Sequence, residues 1–233
     1  LKDPNMSKIT LNELERLAQW DTPTICNALE ITNPERRGYG YTIRPMSCLN
    51  PSLNPVVGYA RTAKIRATAP PTLAVDRLTY YEYVAKQPTP TMIIIEDIDP
   101  SPGYGAFWGE VQTNIHKGLG SVGCVTNGSY RDITDSADGF QLLGGMVNPS
   151  HAHVHLVDIN CEVDVHGMEV KHGDIVHADQ HGAVIIPEAS VQKIPGAVEL
   201  IGRREAIILK AARAPDFDFE KLKTAIADQA EIH

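Results

Sequence analysis

An α/β fold with helices at both ends is predicted by three features of the chain. Thr91 to Glu96, reading TMIIIE, is a short and continuously apolar run of the kind found at the centre of a covered sheet. Around it, strand-like and helix-like segments alternate as far as Ala137. From Phe140 to Ile186 the pattern changes to short apolar runs separated by glycines, which reads as all β.

Each element has its own local reason. Thr10-Leu11-Asn12-Glu13 has the residues of a capping box, and Leu11, Leu14, Leu17 and Ala18 follow at helical spacing, so a first helix is expected to about Trp20. Asp21-Thr22-Pro23 offers a cap and a proline in the first turn, which restarts the chain as a second helix through Leu29. Prolines, glycines and asparagines dominate Asn33 to Pro55, an irregular excursion around a short strand near Tyr41 to Arg44. Val56 to Ile65 partly alternates as a strand does, and after Pro70-Pro71 a helix is expected over Thr72 to Lys86. The run at Thr91 is followed by a loop, Asp97 to Trp108, rich in proline, glycine and aromatics, in which Asp97 and Asp99 read either as metal ligands or as turn formers before Pro100.

A helix from Glu110 to about Lys117 comes next, then a strand over Val122 to Val125 and a short helix over Ile133 to Ala137. Strands are predicted at Phe140–Gly144, Ala152–Asp158, Glu162–Val165, Met168–Val170, Asp174–Ala178 and Ala183–Ile186. A long amphipathic helix over Ala189 to Ala212, interrupted near Pro195-Gly196, and a polar helix from about Asp218 close the chain. One domain over residues 6–233 is expected, with 189–233 as a helical extension; Leu1 to Asn5, which precede Met6, are taken as a cloning remnant.

Composition narrows the class. The 233 residues are 42% hydrophobic and 21% charged, ordinary for a globular protein. A net charge of −8, without any basic run, argues against nucleic acid as a direct partner. No apolar run approaches the roughly 20 residues that span a bilayer, and no signal-peptide core is seen, so a cytoplasmic protein is expected. Cys26, Cys48, Cys124 and Cys161 are far apart without a C-x-x-C pair, which supports neither a zinc site nor a redox motif and leaves buried free thiols.

The chemistry concentrates in Gly109 to Asp132, GEVQTNIHKGLGSVGCVTNGSYRD. The first N–H groups of the helix opened by Gly109-Glu110 favour an anion in front of them. Arg131 offers a planar fork of donors that can grip or polarise an oxygen, and Asp132 a hard oxygen ligand for Mg²⁺ or Mn²⁺. An isolated Arg-Asp dipeptide reads as a salt-bridged turn; what singles this one out is an acid, Glu110, set 20 residues before it.

Other signals have weaker claims. Gly118-Leu119-Gly120-Ser121-Val122-Gly123 spells the dinucleotide fingerprint, yet it follows a helix and leads into a strand, the reverse of what that motif requires. His151, His153 and His155 share one face if their segment is a strand, as a transition-metal row or as imidazoles on a wet or inter-subunit face. His177 and His181 flank a hairpin turn and read as turn residues ahead of ligands, with a substrate-facing role as the alternative, and His116 reads as scaffold. Elbow-serine, H-E-x-x-H and P-loop motifs are lacking, which argues against the commonest hydrolases, metalloproteases and nucleotide triphosphatases.

The acid, the 20-residue spacer and Arg131-Asp132 resemble the signature of the RraA-like family, which includes class II pyruvate aldolases acting on 4-hydroxy-4-methyl-2-oxoglutarate. Asp21-Thr22-Pro23 with Ala28-Leu29 and Gly173-Asp174-Ile175-Val176 with Ala178-Asp179, Gly182 and Pro187 resemble further motifs of that family, so that Leu11 to Pro187 is covered. The resemblance implies a three-layer β/β/α fold like swivelling phosphotransfer domains, assembled as a homotrimer or homohexamer with the site between subunits. It implies Mg²⁺ (or Mn²⁺) on Asp132, metal-bound water held by Glu110, and Arg131 on the keto oxygen of a small 2-oxo acid. The substrate carboxylate would lie at the backbone of Gly109, Glu110, Val111 and Gln112. The implied activity is retro-aldol cleavage of a 4-hydroxy-2-oxo acid or decarboxylation of oxaloacetate, through a pyruvate enolate. The family's namesakes imply an alternative: a non-catalytic protein that binds and inhibits a ribonuclease. Three positions depart from the usual pattern: Glu110 for aspartate, Asn127 for the aspartate before its glycine, and Val111-Gln112 for a more apolar pair.

Overall fold

The computed structural model describes residues 9–232, and the remnant expected at 1–5 lies outside the described residues. In chain order come α1 (Leu11–Leu17), α2 (Thr22–Thr32), β1 (Ser47–Cys48), β2 (Val56–Arg66), α3 (Arg77–Ala85), β3 (Thr91–Asp97), β4 (Ala106–Trp108), α4 (Glu110–Gly118), β5 (Ser121–Thr126) and β6 (Ser129–Tyr130). They are followed by β7 (Gln141–Gly144), β8 (Met146–Val147), β9 (His155–Ile159), β10 (Val163–Val165), β11 (Met168–Val170), β12 (Ile175–Asp179), β13 (Gly182–Ile186), α5 (Ile194–Ala212) and α6 (Phe219–Ala230).

The main sheet runs β1-β7-β5-β3-β2-β12-β13, and β9 pairs with the second half of β2. Its centre, from β7 through β5 and β3 to β2, is parallel, which needs crossovers; α3 joins β2 to β3, and β4 with α4 joins β3 to β5. Side chains alternate across this sheet. Met92 and Ile94 of β3 pack with Val163, Val165, Met168 and Val170 of the β10-β11 hairpin, while Ile93 and Ile95 face Tyr80, Tyr83 and Val84 of α3. On the same side as α3, Val57 and Tyr59 of β2 and Ile175 of β12 pack on α1, α2 and α5. The result is a small β layer, a large sheet and a helical layer. Burying this much aliphatic surface, at about 25 cal/mol per Å², is what drives the layers together.

Local expectations are met where a residue's own chemistry sets the element. The Thr10 and Glu13 capping box is formed from both sides, Asp21 caps α2 through the Thr24 N–H at 2.9 Å, and Asp218 caps α6. The turn between β10 and β11 is His166-Gly167, with φ of 53° and 85°, the two-residue turn whose twist matches antiparallel strands. Among the described residues no helix is long and apolar enough to cross a membrane. All four cysteines are free, but only Cys124 is buried.

Elsewhere tertiary contacts override the local pattern. The strand expected at Tyr41 to Arg44 is a single bridge from Tyr41 to Val184; the strand forms at Ser47–Cys48 instead. Helix α3 begins at Arg77 rather than Thr72, because Asp76 caps it through the Thr79 N–H at 2.9 Å. The expected helix Ile133–Ala137 is only a turn, closed by the Asp135 and Ser136 N–H groups on the Asp132 carbonyl at 3.1 and 3.0 Å. Pro195 starts α5 in its first turn and does not interrupt it.

Candidate active site

Two distant stretches meet through a small three-stranded parallel sheet, β4-β6-β8. Its register pairs Trp108 with Tyr130, and the Arg131 N–H donates to the Trp108 carbonyl at 3.0 Å. The residues that follow, Gly109-Glu110 and Arg131-Asp132, therefore emerge side by side. The loop before β4 is held by carboxylates turned inward. Asp97 accepts from the Asp99 and Gly103 N–H groups at 3.0 and 2.7 Å, and Asp99 from those of Ala67 and Thr68 at 2.6 and 3.0 Å. Asp97 thus closes the turn through Gly103, and Asp99 ties the loop to the residues after β2. Asn127 brackets the same loop, accepting from the Asp97 N–H at 2.7 Å and donating to its carbonyl at 2.9 Å. An aspartate could accept only, so the amide suits this position.

Gly109 caps α4 without a side chain, and the anion at the helix start comes from across the sheet. Asp132 Oδ2 accepts the Glu110 N–H at 3.1 Å and lies 3.5 Å from Arg131 Nε. With side chains 38% and 37% exposed, that ion pair is worth about 0–1 kcal/mol and holds neither group away from a ligand. Asp132 Oδ1 has no protein partner among the described residues. A Cβ on Gly109 would collide with the Asp132 carboxylate and press on Arg131 Cγ. Gly109→Ala should therefore push the Asp132 carboxylate off the Glu110 N–H and cost about 1–3 kcal/mol of stability. A melting curve would check this, and an unchanged Tm would refute the close approach.

A cavity of about 410 Å³ opens here, lined by Gly109, Val111, Gln112, Arg131 and Asp132 on one side. Arg77, Tyr80 and Tyr81 of α3, Phe107, and His151 and His155 line it as well. The N–H groups of Val111 and Gln112 lie in the first turn of α4 and have no partner within the helix, so they suit an anion. Glu110 is exposed and does not line the cavity; its backbone N–H, not its side chain, meets Asp132. Tyr81 OH donates to Gln112 Oε1 at 3.1 Å, tying α3 to the start of α4.

The histidines divide. His116 is buried scaffold, as expected: Nδ1 lies 2.6 Å from the Gln112 carbonyl and must donate, so Nε2 accepts from Tyr80 OH at 2.8 Å. Burial lowers its pKa to about 4, which leaves it neutral. His177 is not a turn residue but a buried strand residue, bonded to the Trp20 carbonyl and Thr22 Oγ1 at 2.9 and 3.0 Å. His181 does sit in the turn, 3.1 Å from Asp179. The row at 151, 153 and 155 is not a strand face: residues 151–154 form a loop with Ala152 at φ 45°, and β9 begins only at His155. His151 and His155 reach the cavity, and His153 does not line it. Among the described residues no group of three or more His, Cys, Asp or Glu could hold a metal. A cation at Asp132 would thus have few protein ligands and many waters, a donor set that suits Mg²⁺ and not zinc.

Sequence reasoning had no view of Arg77, Tyr81 or Phe107 as site residues. The Asp76 cap was the available signal that Arg77 opens a helix, but nothing local says where that helix packs.

The Aldolase/RraA model of the RraA-like family matches residues 22–185. The chain belongs to the RraA-like family. This family holds both aldolase and decarboxylase enzymes and inhibitors of ribonuclease E. A relative, Protein DlpA of Legionella pneumophila, is 24% identical over 156 residues, 64% of this chain and 22% of that protein, so the chain spans about a fifth of the relative's length. RraAS2 of Streptomyces coelicolor, described as an unusual member of the RNase ES inhibitor RraA family, superposes with TM-score 0.67 at 18% identity, covering 90% of this chain and all of that one (100%). A structure described among cellulases from gut-associated microbes superposes with TM-score 0.71 at 16% identity, covering 88% and 90% of the two chains. Neighbours so differently described share the RraA-like fold, and at these identities the fold is all they share with certainty. Activity has to be argued from the site.

Proposed function

We propose that this RraA-like protein is a divalent-metal-dependent carbon–carbon lyase acting on a 2-oxo acid, by retro-aldol cleavage of a 4-hydroxy-2-oxo acid, decarboxylation of oxaloacetate, or both. The observation that carries the reading is the convergence of Arg131, Asp132 and the start of α4 on one wall of a cavity. Asp132, with Oδ1 unpartnered, would hold Mg²⁺ or Mn²⁺; Glu110, the residue that the family resemblance gives to metal-bound water, is exposed at the same helix start but its side chain does not line the cavity. Such an ion supplies Lewis-acid stabilisation of developing negative charge.

This chain's own groups account for the rest. The Val111 and Gln112 N–H groups take the substrate carboxylate, and Arg131 takes the oxygen on C2, where charge grows as the C3–C4 bond breaks. Tyr80 and Phe107 give the cavity an aromatic wall that limits water. Leu78, Val111 and Ile133, each in the lining or beside it in sequence, are more than half exposed, which favours a homotrimer or homohexamer whose neighbouring copy covers this rim. The alternative, a ribonuclease-binding regulator, draws on the net charge of −8, which suits a basic partner.

Pyruvate release from oxaloacetate and from 4-hydroxy-4-methyl-2-oxoglutarate tests the reading. Release above the metal-only rate is expected with Mg²⁺, falling at least about 100-fold with chelator and returning with Mg²⁺ or Mn²⁺. No pyruvate from either acid with any divalent metal would remove the lyase reading and leave the regulator.

A further inference from the structure

Retro-aldol cleavage needs a base for the 4-hydroxyl; decarboxylation does not. We propose that His155 is that base, an inference that rests on the lyase reading. His155 lines the cavity that Arg131 and Asp132 also line. Nδ1 lies 2.8 Å from the His153 carbonyl, which can only accept, so Nδ1 carries the proton. Nε2 is then the basic nitrogen, and no protein group bonds it among the described residues.

His155 is also the best-anchored of the cavity's imidazoles. It opens β9, paired with Arg66 of β2, and it is half-buried, whereas His151 is an exposed loop residue bonded to the neighbouring Ala152 carbonyl. A fixed tautomer on a sheet strand is what a positioned general base requires.

The step balances without any added reagent. Nε2 takes the proton of the 4-hydroxyl, C4–O becomes a carbonyl, and the C3–C4 bond breaks. Its electron pair forms the C2–C3 double bond, leaving negative charge on the C2 oxygen beside Arg131. The imidazolium then returns its proton to C3, giving the methyl group of pyruvate and restoring His155. In oxaloacetate the bond that breaks releases CO₂, no hydroxyl proton needs an acceptor, and the enolate takes its C3 proton from solvent water, so neither half of the step needs His155.

The test is the ratio of the two activities. In His155→Gln, 4-hydroxy-4-methyl-2-oxoglutarate cleavage should fall at least about 100-fold relative to oxaloacetate decarboxylation, the usual loss for a general base. His153→Gln keeps the backbone carbonyl and should keep the ratio. Oxalate binding with Mg²⁺, measured by calorimetry, should stay within about twofold in His155→Gln, because a base is not a ligand for the enolate mimic. A ratio unchanged in His155→Gln overturns the assignment, as does equal loss of both activities or of oxalate binding, which would mark His155 as packing. Absence of both activities from the unaltered protein would instead overturn the lyase reading beneath it.

Discussion

Asp132→Asn should abolish metal-dependent pyruvate release, by about 1000-fold or more, while leaving the fold intact. The expectation separates charge from structure. Asp132 sits at φ 53°, a conformation that asparagine tolerates about as well as aspartate, and an amide oxygen can still accept the Glu110 N–H. What disappears is the negative charge at Oδ1, the oxygen without a protein partner. A thousandfold loss corresponds to about 4 kcal/mol of transition-state stabilisation, reasonable for losing a cation at the developing oxyanion. Steady-state kinetics with a Mg²⁺ titration, beside thermal melting, checks it. Activity within tenfold of the unaltered protein would mean that Asp132 holds no essential ion. A large drop in Tm would mean that its charge is structural after all.

Acid should weaken this protein through His116. The side chain is fully buried, and burial lowers its pKa from 6.5 to about 4. Above pH 6.5 both folded and unfolded forms are neutral, and the group makes no difference. As pH falls from 6.5 towards 4 the unfolded chain takes up a proton that the folded protein refuses, so stability declines by about 1.4 kcal/mol per pH unit, about 3 kcal/mol in all. His177, also buried and with its pKa also lowered by burial, acts in the same direction. Urea unfolding at pH 7 and pH 5 would measure the decline, with His116→Asn as the comparison. Asparagine can still donate to the Gln112 carbonyl and does not titrate, so the variant should be less stable at pH 7 but lose about 2 kcal/mol less on going to pH 5. Identical losses in both proteins would show that His116 is solvated. Because His116 joins Tyr80 to the Gln112 carbonyl, the junction between α3 and the start of α4 should itself loosen only near pH 4, where the folded protein's His116 takes up a proton.

The elements legible in the sequence were those whose signal lies within a few residues. The Thr10 and Asp21 caps, the TMIIIE strand, the start of the last helix near Asp218 and the two short strands on either side of residues 166–167 each follow from hydrogen bonding, apolar character or backbone freedom within a few residues. The elements misread were those set by distant partners. The Tyr41 segment makes a single bridge, to Val184, and scattered bonds to the Ala183 and His166 carbonyls, and residues 151–154 never join the strand that a period of two suggested. Strand β4 was read as loop because three residues carry no period; it exists because β6 lies beside it.

The site divides in the same way. The sequence by itself determined that a helix starts at Glu110, that an Arg-Asp pair follows a buried strand, and that their spacing resembles the RraA-like family, since each depends on residue type and separation along the chain. Only the tertiary structure decided that the two stretches touch, that Asp132 completes the start of α4, and that the Glu110 side chain stays outside the cavity. It also decided that α3 and the segment 151–156 contribute to the same cavity, so that Arg77, Tyr81 and His155 line it together with Arg131. The reason is physical: hydrogen bonds and φ preferences act over a few residues and leave a local trace. A cavity is the space left when separate hydrophobic faces are buried together, and no single stretch of chain encodes it.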